Sequence, residues 1–139
     1  MPQAVAGMDK QSLAKALAGA GAAFGALSVV APRVVAGGYG VPVTPSGLQL
    51  QRLFGSRALA ISALALTAKT EEEVDRGLLA VAAMNVLDAW TALAAAARGT
   101  GRPTTVRALV SSAVYGGAAL AIRSMKSPAP SAPVEPLPA

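Results

Sequence analysis

Arg57 and Asp88 are the side chains best placed to do chemistry, because each falls near the middle of an otherwise apolar segment. A charge at the centre of a membrane helix costs about 2.5–3.5 kcal/mol on insertion scales, so it is kept where it has a partner or a task. Asn85, Asp88 and Thr91 recur at i, i+3 and i+6, which places them within about 120° around a helix as one polar seam. Arg52 and Ser56 flank Arg57. Arg57, Asp88, Asn85, Arg52, Ser56 and Thr91 are therefore the candidates for a ligand site or a structural ion pair. Three readings stay open. The pair can fix helix register. It can line a polar cavity for a ligand, a proton or a headgroup, with Asn85, Ser56 and Thr91 adding hydrogen bonds. Or the two can stay apart, with Arg57 turned to a lipid headgroup and Asp88 protonated by burial.

Other chemistry is scarce. The chain has no Cys and no His. That excludes disulfides, thiol redox chemistry, Cys or His nucleophile–base pairs and the usual zinc, haem and copper sites. No metal site and no cofactor are expected. Hydrolysis would need Asp88 as base and Ser56 as nucleophile, and no nucleophile motif surrounds Ser56, so the chain is expected not to be an enzyme. The net charge of +5 is scattered and does not cluster with aromatics, which argues against a nucleic-acid partner. Contact with anionic headgroups is the simpler use of such charge.

Composition indicates the solvent. Of 139 residues, 53% are hydrophobic and 14% charged, against about 25% charged in soluble domains. The apolar content is Ala, Val and Leu, with few aromatics to fill a soluble core, whereas closely packed membrane helices favour small residues. A water-soluble Ala-rich bundle is the alternative, because the clean runs of the second and fourth segments fall short of the roughly 20 residues of a full span.

These features predict an all-α fold, a four-helix transmembrane bundle over residues 1–125 with a disordered Pro-rich tail over 126–139. The helices are expected at about 9–36, 45–68, 71–97 and 104–125. Asp9 is the expected N-cap of the first helix, and Lys15 can snorkel outward. Gly21 and Gly25 form a GxxxG pair, and Ser112 with Gly116 makes a second small face; both suit close helix packing, within the chain or between copies. Gly37-Gly38-Tyr39-Gly40-Val41-Pro42 ends the first helix, with Tyr39 as an interfacial anchor. Pro32 directly after Ala31 argues against signal cleavage there, so the first segment is expected to be retained. Thr44 with Pro45 opens the second helix, whose first half is polar. Thr70-Glu71-Glu72-Glu73 has capping-box spacing ahead of the third, and Thr104 or Thr105 caps the fourth. Arg57 and Asp88 are nearly equidistant from the turn near Glu72, so in an antiparallel hairpin their depths agree to within about 2 Å. Arg's planar fork suits a carboxylate.

Ala31-Pro32-Arg33-Val34-Val35-Ala36, Tyr39-Gly40-Val41-Pro42 and Arg52-Leu53-Phe54-Gly55-Ser56-Arg57-Ala58-Leu59-Ala60 carry a resemblance. With Asp88 they are similar to an uncharacterised family of small bacterial four-helix integral membrane proteins, distantly DoxX-like. The match covers roughly residues 12–123. Ala58 stands where that family often has an acidic residue after the Arg. The resemblance implies a membrane partner for a redox or quinone-linked complex, an implication of fold alone.

The first functional expectation is a non-catalytic accessory or structural subunit of a membrane complex. The second is a small-molecule or lipid-binding carrier or channel built around Arg57 and Asp88. A membrane enzyme is the third. The expected partners are the lipid bilayer and either complex subunits or a second copy. The expected location is a cell inner membrane, multi-pass. Basic residues near helix ends are nearly balanced between the two sides, and Lys10 and Lys15 before the first helix favour cytoplasmic termini.

Overall fold

Pro32 decides the helix count. Its ring has no N–H and clashes with the preceding turn. Ala31 therefore leaves the helical region, at φ −126° and ψ 58°, and Pro32 restarts a second helix at its first position. The computed structural model describes residues 8–126 and is all-helical. Its elements are α1 (Lys10–Val30), α2 (Pro32–Tyr39), α3 (Pro45–Thr67), α4 (Glu71–Ala96) and α5 (Arg102–Arg123). There are five helices where four were expected, because the expected first helix is broken in two. The tail expected to be disordered lies outside the described residues beyond Lys126.

Local chemistry sets the ends. The Asp9 carboxylate accepts from the backbone N–H of Ser12 at 2.7 Å, which holds its pKa below the ordinary value. Thr44 accepts from the Gly47 N–H at 3.1 Å. Thr70 and Glu73 close a reciprocal capping box. Gly40 ends α2 in the left-handed region at φ 73°, where a Cβ is disfavoured. α5 begins at Gly101–Arg102, earlier than Thr104, because Pro103 is at home in a first turn. Neither threonine caps it: Thr104 Oγ1 donates to the Gly40 carbonyl at 3.2 Å, and Thr105 Oγ1 to the Gly101 carbonyl.

The helices associate as two close antiparallel pairs, α1 on α3 and α4 on α5. Small residues make both approaches. A Cβ on Gly55 would stand 2.6 Å from Ser28 Cβ and 2.7 Å from the Gly25 carbonyl oxygen. One on Gly116 would stand 3.0 Å from Asn85 Cβ. Gly21 faces Ser62 and Tyr115, and Ser112 is buried. The small faces over Gly21, Gly25, Ser112 and Gly116 are thus spent on packing within the chain.

The size distribution is inverted relative to a water-soluble fold. The buried core is Ala14, Ala68, Val74, Leu78, Val81, Ala82 and Ala119. The large side chains face out: Leu64 is 67% exposed, Val86 66% and Trp90 70%. α1, α4 and α5 are long and apolar enough to cross a membrane. α3 is as long, but Gln49, Gln51, Arg52 and Arg57 make its first half polar.

Val35 and Ala36 of α2 are buried at one end of the molecule, while the main apolar cluster lies at the other, where α1 and α4 begin and α3 and α5 finish. There Lys10 is buried, its Nζ 2.7 Å from Asp75 Oδ1 and 3.5 Å from Glu71 Oε1. The Asp75 contact is off the angle of a hydrogen bond, so it is an ion pair, and that buried oxygen has no hydrogen-bond partner among the described residues. Lys10→Ala leaves the oxygen with no counter-charge at contact distance. The expected loss is about 1–3 kcal/mol, read as a lowered midpoint in thermal unfolding of the protein in detergent.

Candidate functional site

The two helix pairs meet at the Lys10 end and part toward the other. A cleft of about 710 Å³ lies between them, within the 300–1,000 Å³ of ligand pockets. Its floor is Leu17, Ile61, Val81 and Tyr115, where the core ends. Tyr115 closes the floor by donating to the Leu17 carbonyl at 2.8 Å. Phe24, Phe54, Ala58, Met84, Ala92 and Ala108 form mostly apolar walls. Tyr39, Val41, Ala95 and Thr104 stand at the mouth. From Tyr115 to Thr104 the α5 rise is about 16 Å.

Arg57 and Asp88 sit on one wall, where α3 passes α4. Arg57 Nη2 donates to Asp88 Oδ1 at 2.7 Å and to Oδ2 at 2.9 Å. The guanidinium also lies 5.0 Å from the centre of the Phe54 ring, a cation–π contact. Phe54 stands edge-on to Phe24, and Phe24 edge-on to Tyr39, so an aromatic row leads from the ion pair to the mouth. Asp88 is midway along α4 between Val81 at the floor and Ala95 at the mouth, about 10 Å from each.

The remaining sequence candidates divide. Asn85 is buried in the cleft wall and donates to the Val81 carbonyl at 2.8 Å. Thr91 lines the cleft, its hydroxyl donating to the Asp88 backbone carbonyl at 2.9 Å. Ser56 does not join the site. Its hydroxyl turns back to the carbonyls of Arg52 and Leu53 on the exposed face, the usual local bond of a mid-helix serine. Arg52 is exposed and outside the lining. Tyr39, expected as an interfacial anchor, is half-buried against Phe24.

Several cleft groups escaped sequence reasoning. Gln51 lines the cleft and donates to the buried Ser28 hydroxyl at 3.2 Å, tying α3 to α1. Ser62, Ser111 and Tyr115 supply further hydroxyls, and Ser112, expected for helix packing, lines the cleft as well. Serines scattered through Ala-rich helices carry no spacing signal; only the phase of each helix against its neighbours brings them together. No group of three or more metal-ligating side chains exists among the described residues.

Comparison of the chain with protein-family models, with curated proteins and with solved structures gave no match.

Proposed function

We propose that this chain is a small integral membrane protein that takes an amphiphilic molecule into the cleft between its two helix pairs. The observation that carries this reading is the cleft itself. It has ligand-pocket volume, apolar walls and a few convergent polar groups around Arg57 and Asp88. The outer surface supports lipid as the solvent, because large apolar side chains cover it while alanine and glycine fill the interior. The accessory-subunit reading drew on the small-residue faces, the missing catalytic residue types and the Pro-rich tail; of these, the small-residue faces are used for packing within the chain. In this arrangement Arg57 and Asp88 hold α3 to α4 beside the cleft. The guanidinium N–H groups not bonded to Asp88 are free to meet a polar group of the guest.

Two measurements test this. Trp90 is the only tryptophan and faces outward from α4. In vesicles its emission is expected to be quenched by lipids brominated on the acyl chain and spared by iodide in water. Strong iodide quenching of a detergent-free, monodisperse protein overturns the membrane assignment. A dansyl-labelled acyl chain added to the purified protein in detergent is expected to bind saturably. Ala108→Phe, which fills the wall of the cleft, is expected to weaken that binding at least tenfold. Binding unchanged by Ala108→Phe overturns the cleft as the site.

A further inference from the structure

Charge is divided sharply between the two ends of the molecule. Among the described residues, Asp9, Glu71, Glu72, Glu73 and Asp75 all lie at the closed end, beside Lys10, Lys15, Lys69, Arg76, Arg123 and Lys126. Asp88 is bonded to Arg57. The open end carries Arg33, Arg52, Arg98, Arg102 and Arg107, all exposed, and no acidic residue among the described residues. None of these five arginines is in an ion pair among the described residues.

The helix ends add to the asymmetry. α1 and α4 start at the closed end, with Asp9 or Glu71–Glu73 against the positive helix terminus. α3 and α5 start at the open end, with no acidic residue in either first turn. None of the five lines the cleft, and Arg107 comes near its mouth through Gly40. Thr104, at the mouth, bonds the Gly40 carbonyl, and the Arg107 guanidinium lies against Gly40. Arg52 is next to Gln51 on α3 but turned to the exposed face, outside the lining. The apolar cleft, closed at its inner end, therefore opens at the end of the molecule that carries these five arginines, none of them in an ion pair among the described residues.

We infer that the guest is an anionic phospholipid, with an acyl chain in the cleft and its phosphate at the arginine-bearing end. This inference rests on the cleft reading above and adds the headgroup charge and its location. Guanidinium is suited to phosphate because its planar fork can bond two oxygens at once. A zwitterionic phospholipid carries the same phosphate, but its ammonium group meets an end with no carboxylate among the described residues to receive it.

The test uses the full chain, delipidated in a neutral detergent, and native mass spectrometry. Phosphatidylglycerol and phosphatidylcholine with identical acyl chains are supplied at equal concentration. One phosphatidylglycerol is expected to be retained at least tenfold over phosphatidylcholine. Arg52→Gln with Arg107→Gln is expected to bring the ratio near unity, while Arg123→Gln at the closed end leaves it unchanged. Ala108→Phe is expected to remove both lipids. Equal retention of the two lipids by the wild-type chain, lost in Ala108→Phe, overturns the headgroup inference and leaves the cleft reading standing. Equal loss of preference in Arg123→Gln also overturns it, because the effect is then general surface charge. Retention indifferent to Ala108→Phe overturns the cleft reading itself. Helical circular dichroism of each variant and the wild-type comparison keep the result independent of a folding defect.

Discussion

Asp88→Asn is expected to destabilise the protein in detergent or bicelles by about 2.5 kcal/mol, and Arg57→Met by only about 1 kcal/mol. Both remove the same ion pair. They differ in what is left behind. A guanidinium cannot shed its proton in a protein, so Arg57 without Asp88 stays a full charge beside an apolar cleft. A carboxylate without its partner can take up a proton and become neutral. The Asp88→Asn figure stands at the lower end of the insertion-scale range because Arg57 is 44% exposed and keeps its contact with Phe54. The double variant Arg57→Met with Asp88→Asn is expected to recover most of the loss, which makes the coupling in a double-mutant cycle clearly non-zero. Unfolding by a denaturing detergent, followed by helical circular dichroism, measures all three. Two small and equal losses with no coupling would mean that water screens the pair and that the wall it sits on is not apolar.

The second large effect is expected at the crossing of α1 and α3. Gly55→Leu should cost about 3 kcal/mol, the upper part of the range for overpacking, or leave no folded protein. Replacing a mid-helix glycine ordinarily gains about 1 kcal/mol of helix propensity. Here the new Cβ would meet Ser28 Cβ at 2.6 Å and the Gly25 carbonyl oxygen at 2.7 Å. The second is backbone and cannot swing aside, so the helices must separate and the clash outweighs the gain. Gly19 supplies the contrast: it is helical, and a Cβ there meets nothing within 4 Å. Gly19→Ala is expected to be neutral or stabilising. If Gly55→Leu and Gly19→Ala unfold at the same detergent fraction, the α1–α3 contact is looser than described.

Much of the local structure was legible because its chemistry is short-range. Asp9, Thr44 and the Thr70–Glu73 box each act within one helical turn. The facing of Arg57 and Asp88 follows from counting residues either side of a single turn. Pro32 shows where such reasoning stops. A proline inside an apolar run can kink a helix, end it or start the next one, and the Val-Val-Ala after it continues the pattern equally well in each case. The start of α5 was misplaced for a related reason: Thr104 and Thr105 have cap chemistry, but Pro103 tolerates a first turn that begins earlier. Lys10 looked like a flanking charge, yet it is buried against α4, a helix distant in sequence. The polar wall of the cleft was legible in the seam of Asn85, Asp88 and Thr91, but its apolar floor, walls and volume were not. Alanines at the closed end let four helices converge, and farther along Phe24, Phe54, Met84 and Tyr115 line the space between the pairs.

The placement of the main apolar cluster at one end has a mechanical consequence. The molecule is built like a pair of tongs, jointed where Ala14, Leu78 and Ala119 interlock and Lys10 clasps α4. Toward the tips, the side-chain bonds joining the two arms among the described residues are Arg57 to Asp88 and Thr104 to Gly40. Spreading the arms would break those few bonds and leave both glycine crossings intact, so opening the jaw would not require either arm to unfold.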